Sequence, residues 1–163
     1  MPEKETASDK DSLVQELESG HKRFRATIAS LPEEAYEETW LGTWSLTEVL
    51  AHMAGWFRQM GGAFERVGRG ERPAPEGVDL GDVEAWNSKF AAAKKATGKE
   101  ALADWDAAYG QFLAAATALT ADLYGIDPEK GRPRIGNRLI SGAGIEHFAE
   151  HQPEVDEWLR SRG

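Results

Sequence analysis

The chain contains no cysteine. That excludes a disulfide framework, a thiolate nucleophile and any thiolate-bound metal. No apolar run approaches the roughly 20 residues that a membrane-spanning helix requires. The opening MPEKETASDKD is polar and lacks the apolar segment of a secretory leader, so a cytoplasmic location is the simplest expectation. Basic residues are in deficit, 19 against 28 acidic, giving a net charge of −9. Nucleic acid and anionic membrane both demand a basic surface, so neither is an expected partner. Histidine is scarce, at four residues. Nowhere does a convincing period-2 alternation mark a strand.

What is present suits one globular domain. The 163 residues, 40% of them apolar, are enough to bury a real core. Residues 1–8 read as a disordered tail and 9–163 as the domain. A first helix is expected over about 9–31, with Leu13, Leu17, Phe24, Ile28 and Leu31 at three- and four-residue intervals and Pro32 just beyond. A second, over 45–67, opens with a capping box of Ser45 and Glu48 and carries Val49, Leu50, Met53, Trp56, Met60 and Phe64 inward. Prolines and glycines make 68–80 a loop, followed by a short helix near 81–96. Thr97 and Glu100 form a second capping box that opens a helix to about Tyr124. After a loop over 125–137, the last helix covers 138–160. The expected architecture is therefore an all-α bundle of four long helices, with one short helix in the crossover between the second and third. Pro153 removes one hydrogen bond inside the last helix, and a bend beside it is expected.

The histidines are placed unevenly. In LISGAGIEHFAEHQPEVDEWL (139–159), His147 and His151 lie four apart on the inward line Ile140, Gly144, His147, His151, Val155 and Trp158. Residues at i and i+4 are neighbours on one helix face, and two neutral imidazoles so placed can serve one divalent ion. His52 stands one turn from Val49 and one turn before Trp56, on the inner edge of the second helix. It lies about 22 Å along that helix from its end, against about 15 and 21 Å for His147 and His151 from the start of theirs. If these helices run antiparallel, the three side chains meet at similar heights. Three histidines leave further positions for water or substrate, the pattern of a catalytic rather than a structural site. A buried histidine satisfied within a core is the competing reading, and for His21, on the first helix, core or supporting roles come first.

At these residues the chain resembles a known family. TWSLTEVLAHMAGW (43–56), with Trp44, His52 and Trp56, resembles the second-helix signature of the DinB-like four-helix bundles. VEAWNSKFAAAKKATGKEAL (83–102), with Asn87, is similar to their middle segment, and ISGAGIEHFAEHQPEVDEWL (140–159) looks most like the ClbS/DfsB branch. The resemblance implies an up-down-down-up bundle, a divalent-metal site at His52, His147 and His151 holding zinc or nickel, and a homodimer. Its members include thiol-dependent S-transferases and isomerases and a ClbS-type resistance protein, so no single substrate follows. Gly142 and Gly144 stand where the family has bulkier residues. They either open space beside the site or let two helices approach closely.

Two classes of function compete. A metal-dependent enzyme would act as hydrolase or thiol-dependent transferase on a small, electrophilic or toxic metabolite, the ion polarising an electrophile or acidifying bound water. Arg58, Arg66, Arg69, Arg132, Arg134 and Arg138 are candidates to grip an anionic thiol cofactor, and Trp44, Trp56 and Trp158 to line an apolar pocket. Glu48, Glu146, Glu150, Tyr109 and Tyr124 have structural readings that come before catalytic ones. The alternative is a non-catalytic bundle that binds a small molecule or a partner, its histidines merely buried.

Overall fold

The computed structural model describes the backbone of residues 2–162 and the side chains of residues 8–162. Helix makes up 72% of it, which establishes the all-α class. The first helix, α1, spans Pro2–Ala29. The tail expected over residues 1–8 is thus helical over its described backbone, while Met1 lies outside the described residues. Pro2 sits at the head of the helix, where a missing N–H costs nothing, and Glu, Lys and Ala after it are good helix formers.

The second helix, α2, covers Leu46–Gly68, with Glu48 accepting a hydrogen bond from the Ser45 backbone N–H at 3.2 Å. That bond is one half of the expected capping box and gives Glu48 a structural role. The crossover helix α3 is Val83–Ala92, shorter at both ends than expected, with Asp82 capping its start. Helix α4 is Gly98–Ala118. Thr97 caps it through the Glu100 N–H at 3.1 Å, and the Gly98 N–H turns to Glu33; the return bond from the Thr97 N–H to the Glu100 side chain that would complete the box is not made. It also ends six residues before the expected Tyr124. Leu119 turns to extended backbone, a 3₁₀ turn follows at Ala121–Leu123, and the Tyr124 hydroxyl folds back to donate to the Ala116 carbonyl at 2.7 Å.

The last helix is continuous but irregular. Helix α5, Ile135–Ile140, passes through a π-helical turn at Ser141–Ile145 into α6, Glu146–Arg162. Pro153 lies inside α6 without ending it. The disturbance of the ladder that the sequence placed at Pro153 has a counterpart upstream, beside the histidines, where the Glu146 N–H reaches back five residues to the Ser141 carbonyl. Strand is confined, among the described residues, to two small antiparallel ribbons: β1 (Thr39–Leu41) with β2 (Trp44–Ser45), and β3 (Ile126–Asp127) with β4 (Arg132–Pro133). Runs of two or three residues are too short to show a period in sequence.

The helices pack around one core. Phe24 of α1, Phe57 of α2, Trp105 and Phe112 of α4 and Phe148 of α6 are all buried and form one aromatic cluster. Arg25 clamps Asp106 with two nitrogens, tying α1 to α4. The glycines of the π turn divide their labour. A Cβ on Gly144 would stand 2.5 Å from Leu17 and 3.0 Å from Phe112, so this glycine lets the last helix press against α1 and α4. A Cβ on Gly142 would meet nothing within 4 Å. Gly142 leaves space; Gly144 gives close approach.

Candidate metal centre

His52 faces inward because it shares a face of α2 with Val49, Met53 and Trp56, and His147 and His151 occupy successive turns of the inner face of α6. All three are buried. Their side chains converge across 95 residues of chain: His52 Nε2 lies 2.8 Å from His147 Nε2 and 3.4 Å from His151 Nε2. The three ligand nitrogens lie within 4.8 Å of one another. An ion with nitrogens at about 2.0–2.1 Å in a tetrahedron sets those nitrogens roughly 3.3 Å apart, and the two His52 separations bracket that value.

The outer nitrogens decide the tautomers. His147 Nδ1 faces the Ala143 carbonyl at 3.3 Å, and His151 Nδ1 faces Glu154 Oε2 at 2.9 Å. Carbonyl and carboxylate oxygens only accept, so both Nδ1 atoms carry a proton, and in the neutral ring each Nε2 then presents its lone pair inward. Two such lone pairs directed at His52 Nε2 call for either a proton on that nitrogen or a metal ion among the three. Burial, then the charge of His151, holds the His52 pKa down at about 3. Burial, then His52 and His151, likewise depresses His147. Neutral imidazole is the form that ligates metal, so the depressed His52 and His147 rings are ready donors, and with His151 they make an all-imidazole set that fits a borderline divalent ion.

A cleft of about 350 Å³ opens onto His52 and His147. Trp56, Met60, Leu80 and Val83 supply its apolar wall, Gly142 and Ala143 of the π turn line it, and the exposed Arg138 and Glu150 complete it. Chain comparison adds the family. The model of the DinB superfamily matches residues 16–152, most of the chain and all three histidines. The chain belongs to the DinB superfamily. No curated protein and no solved structure matches it.

Within this DinB-superfamily fold the remaining candidates sort by contact. His21 lies outside the cluster: its half-buried ring stacks on Tyr109 at 3.6 Å and on Trp105 at 4.8 Å, packing against the edge of the core. Tyr109 and Tyr124 are buried away from the cleft, and burial pushes both phenols up, so neither is placed to give a proton there. Of the six arginines, Arg138 reaches the cleft. Arg58 pairs with Asp104 and Arg69 with Glu71, while Arg66 and Arg134 donate to the Pro73 and Tyr124 carbonyls. Trp56 lines the cleft, Trp44 packs on His52 at 5.1 Å, and Trp158 stacks on Trp40 at 4.7 Å. Glu150 is at the cleft, whereas Glu146 lines a neighbouring depression with Arg138. Sequence reasoning missed Glu154, although its position three residues after His151 was a usable signal.

Proposed function

We propose that this chain is a metal-dependent enzyme. It holds a divalent ion, zinc or nickel, at His52, His147 and His151, and acts as hydrolase or thiol-dependent transferase on a small electrophilic metabolite. The observation that carries this reading is the convergence of three buried imidazoles, two of them, His52 and His147, facing an open, mostly apolar cleft. When bound, such an ion polarises an electrophilic group or brings the pKa of bound water toward neutrality. The chain's own residues do the rest. Ala143 and Glu154 hold two imidazoles in the ligating tautomer, the Trp56 and Met60 side chains bind the apolar part of the substrate and exclude water, and Arg138 offers a guanidinium to an anionic group.

The ClbS/DfsB branch, the up-down-down-up order, a cytoplasmic location and a homodimer belong to this proposal. The 140–159 motif supports the branch, and the connection of nearly thirty residues between α2 and α4 suits that order. The test is metal content followed by turnover. Purified protein is reconstituted with zinc or nickel, and its metal stoichiometry is measured. It is then assayed against a panel of electrophiles with and without low-molecular-weight thiols, beside His151→Ala. Metal-dependent turnover lost in the variant supports the proposal.

A second reading has one observation in its favour. His52 can donate its own Nε2–H to His147, so the cluster satisfies itself without an ion. A protein that takes up no zinc or nickel, and whose stability ignores chelators, is the non-catalytic binding bundle.

A further inference from the structure

Two of the three histidines have visible support for their outer nitrogen, and the third does not. His52 Nδ1 is buried and makes no hydrogen bond. A histidine that binds metal through Nε2 carries its proton on Nδ1, and that N–H needs an acceptor to fix the ring and raise its basicity. The side chain placed to supply one is Asn87 of the crossover helix α3, which lines the same cleft beside His52. Trp56, one turn after His52 on α2, donates its Nε1–H to Asn87 Oδ1 at 2.7 Å. An indole N–H only donates, so the Asn87 atom fixed there is the oxygen, and a carboxamide oxygen has a second lone pair to offer. His52 and Trp56 leave α2 on one face, being four residues apart.

We propose that Asn87 is the positioning residue for His52: its Oδ1, oriented by Trp56, accepts the His52 Nδ1–H when Nε2 holds the ion. The inference rests on the metal-centre reading and extends it. Helix α3 is seated on α2 by Phe90, whose ring fills the place of a side chain at Gly55 and meets Trp56 edge-on at 5.5 Å. Leu80, Val83 and Asn87 contribute to the cleft from this crossover segment.

The test is zinc affinity, measured by competition with a chromophoric chelator, for the wild-type chain, Asn87→Ala and Asn87→Asp. The alanine variant, which lacks the acceptor, binds zinc about 10- to 100-fold more weakly. The aspartate variant keeps the acceptor and binds as tightly as wild type or more so, a rescue that a purely structural role would not give. Nitrogen-15 spectra of the imidazoles give a second readout in the zinc-loaded wild type, where the His52 Nδ1–H is expected as a protected, slowly exchanging signal. Equal zinc affinity of wild type and Asn87→Ala, aspartate as weak as alanine, or a rapidly exchanging His52 Nδ1–H would each overturn the inference while leaving the metal centre standing. A wild-type chain that binds no zinc or nickel removes the metal centre and this inference together.

Discussion

His52 Nε2 and His147 Nε2 stand 2.8 Å apart, joining α2 to α6 through two atoms that cannot both be bare lone pairs at that distance. Either His52 carries a proton between them or a cation replaces it. The exchange of a proton for an ion at this point is the centre of what the molecule can do.

Removing one ligand separates metal binding from folding. His151→Ala is expected to abolish tight zinc binding while keeping a cooperative melt, because the aromatic cluster around Phe148 carries the core independently of that ring. Glu154→Ala removes only the acceptor at His151 Nδ1 and is expected to weaken zinc about tenfold or more. Equilibrium dialysis beside circular dichroism reads both. Full zinc binding by His151→Ala would contradict the proposed ligand set.

Acid is expected to destabilise the metal-free protein below the ordinary histidine range. The His52 pKa is depressed to about 3 in the fold against 6.5 for the free side chain, so protons bind the unfolded chain first. Its contribution is complete above pH 6.5 and is lost as pH falls from there toward 3. Between pH 6.5 and 5 that loss is about 2 kcal/mol from His52, and His147 acts in the same direction. Urea melts in chelator at pH 7.5, 6 and 5 check the slope. A midpoint unchanged across that series would show that His52 titrates normally.

The two glycines of the π turn are expected to respond oppositely to alanine. Gly144→Ala forces a methyl group against Leu17 and Phe112 and should cost about 1–3 kcal/mol, a fall of several degrees in melting temperature. Gly142→Ala enters open space and should leave the melting temperature unchanged or slightly higher, while narrowing the cleft. Thermal melts of the two single variants settle the contrast.

Zinc or nickel should stabilise the folded chain by mass action. An ion present at about 100 times its dissociation constant raises stability by about 2.7 kcal/mol. The shift should vanish in His52→Ala. A wild-type melting curve that does not move with either metal would count against the metal centre.

Much of this was readable along the chain. Capping at Ser45 and Thr97, apolar spacing and Pro32 placed the long helices, because these effects act over three or four residues. The inward phase of His52, His147 and His151 followed from the same period, and their similar heights from helix rise, given antiparallel helices. The early end of α4 was not readable: the apolar spacing runs on to Tyr124, and only the return of its hydroxyl to Ala116 shows that the helix has stopped.

The sequence by itself determined that this chain is helical, acidic and without a thiol of its own, and that three of its four histidines face inward. Only the tertiary structure decided that they meet at one point, that His21 packs at the core's edge on Tyr109, and that Gly142 opens space where Gly144 closes it. It alone brought Asn87 to Trp56 and Arg138 to the cleft. The physical reason is range. Helix phase and capping are set by neighbours within one turn, whereas the partner of a side chain 31 or 95 residues away depends on how whole helices pack.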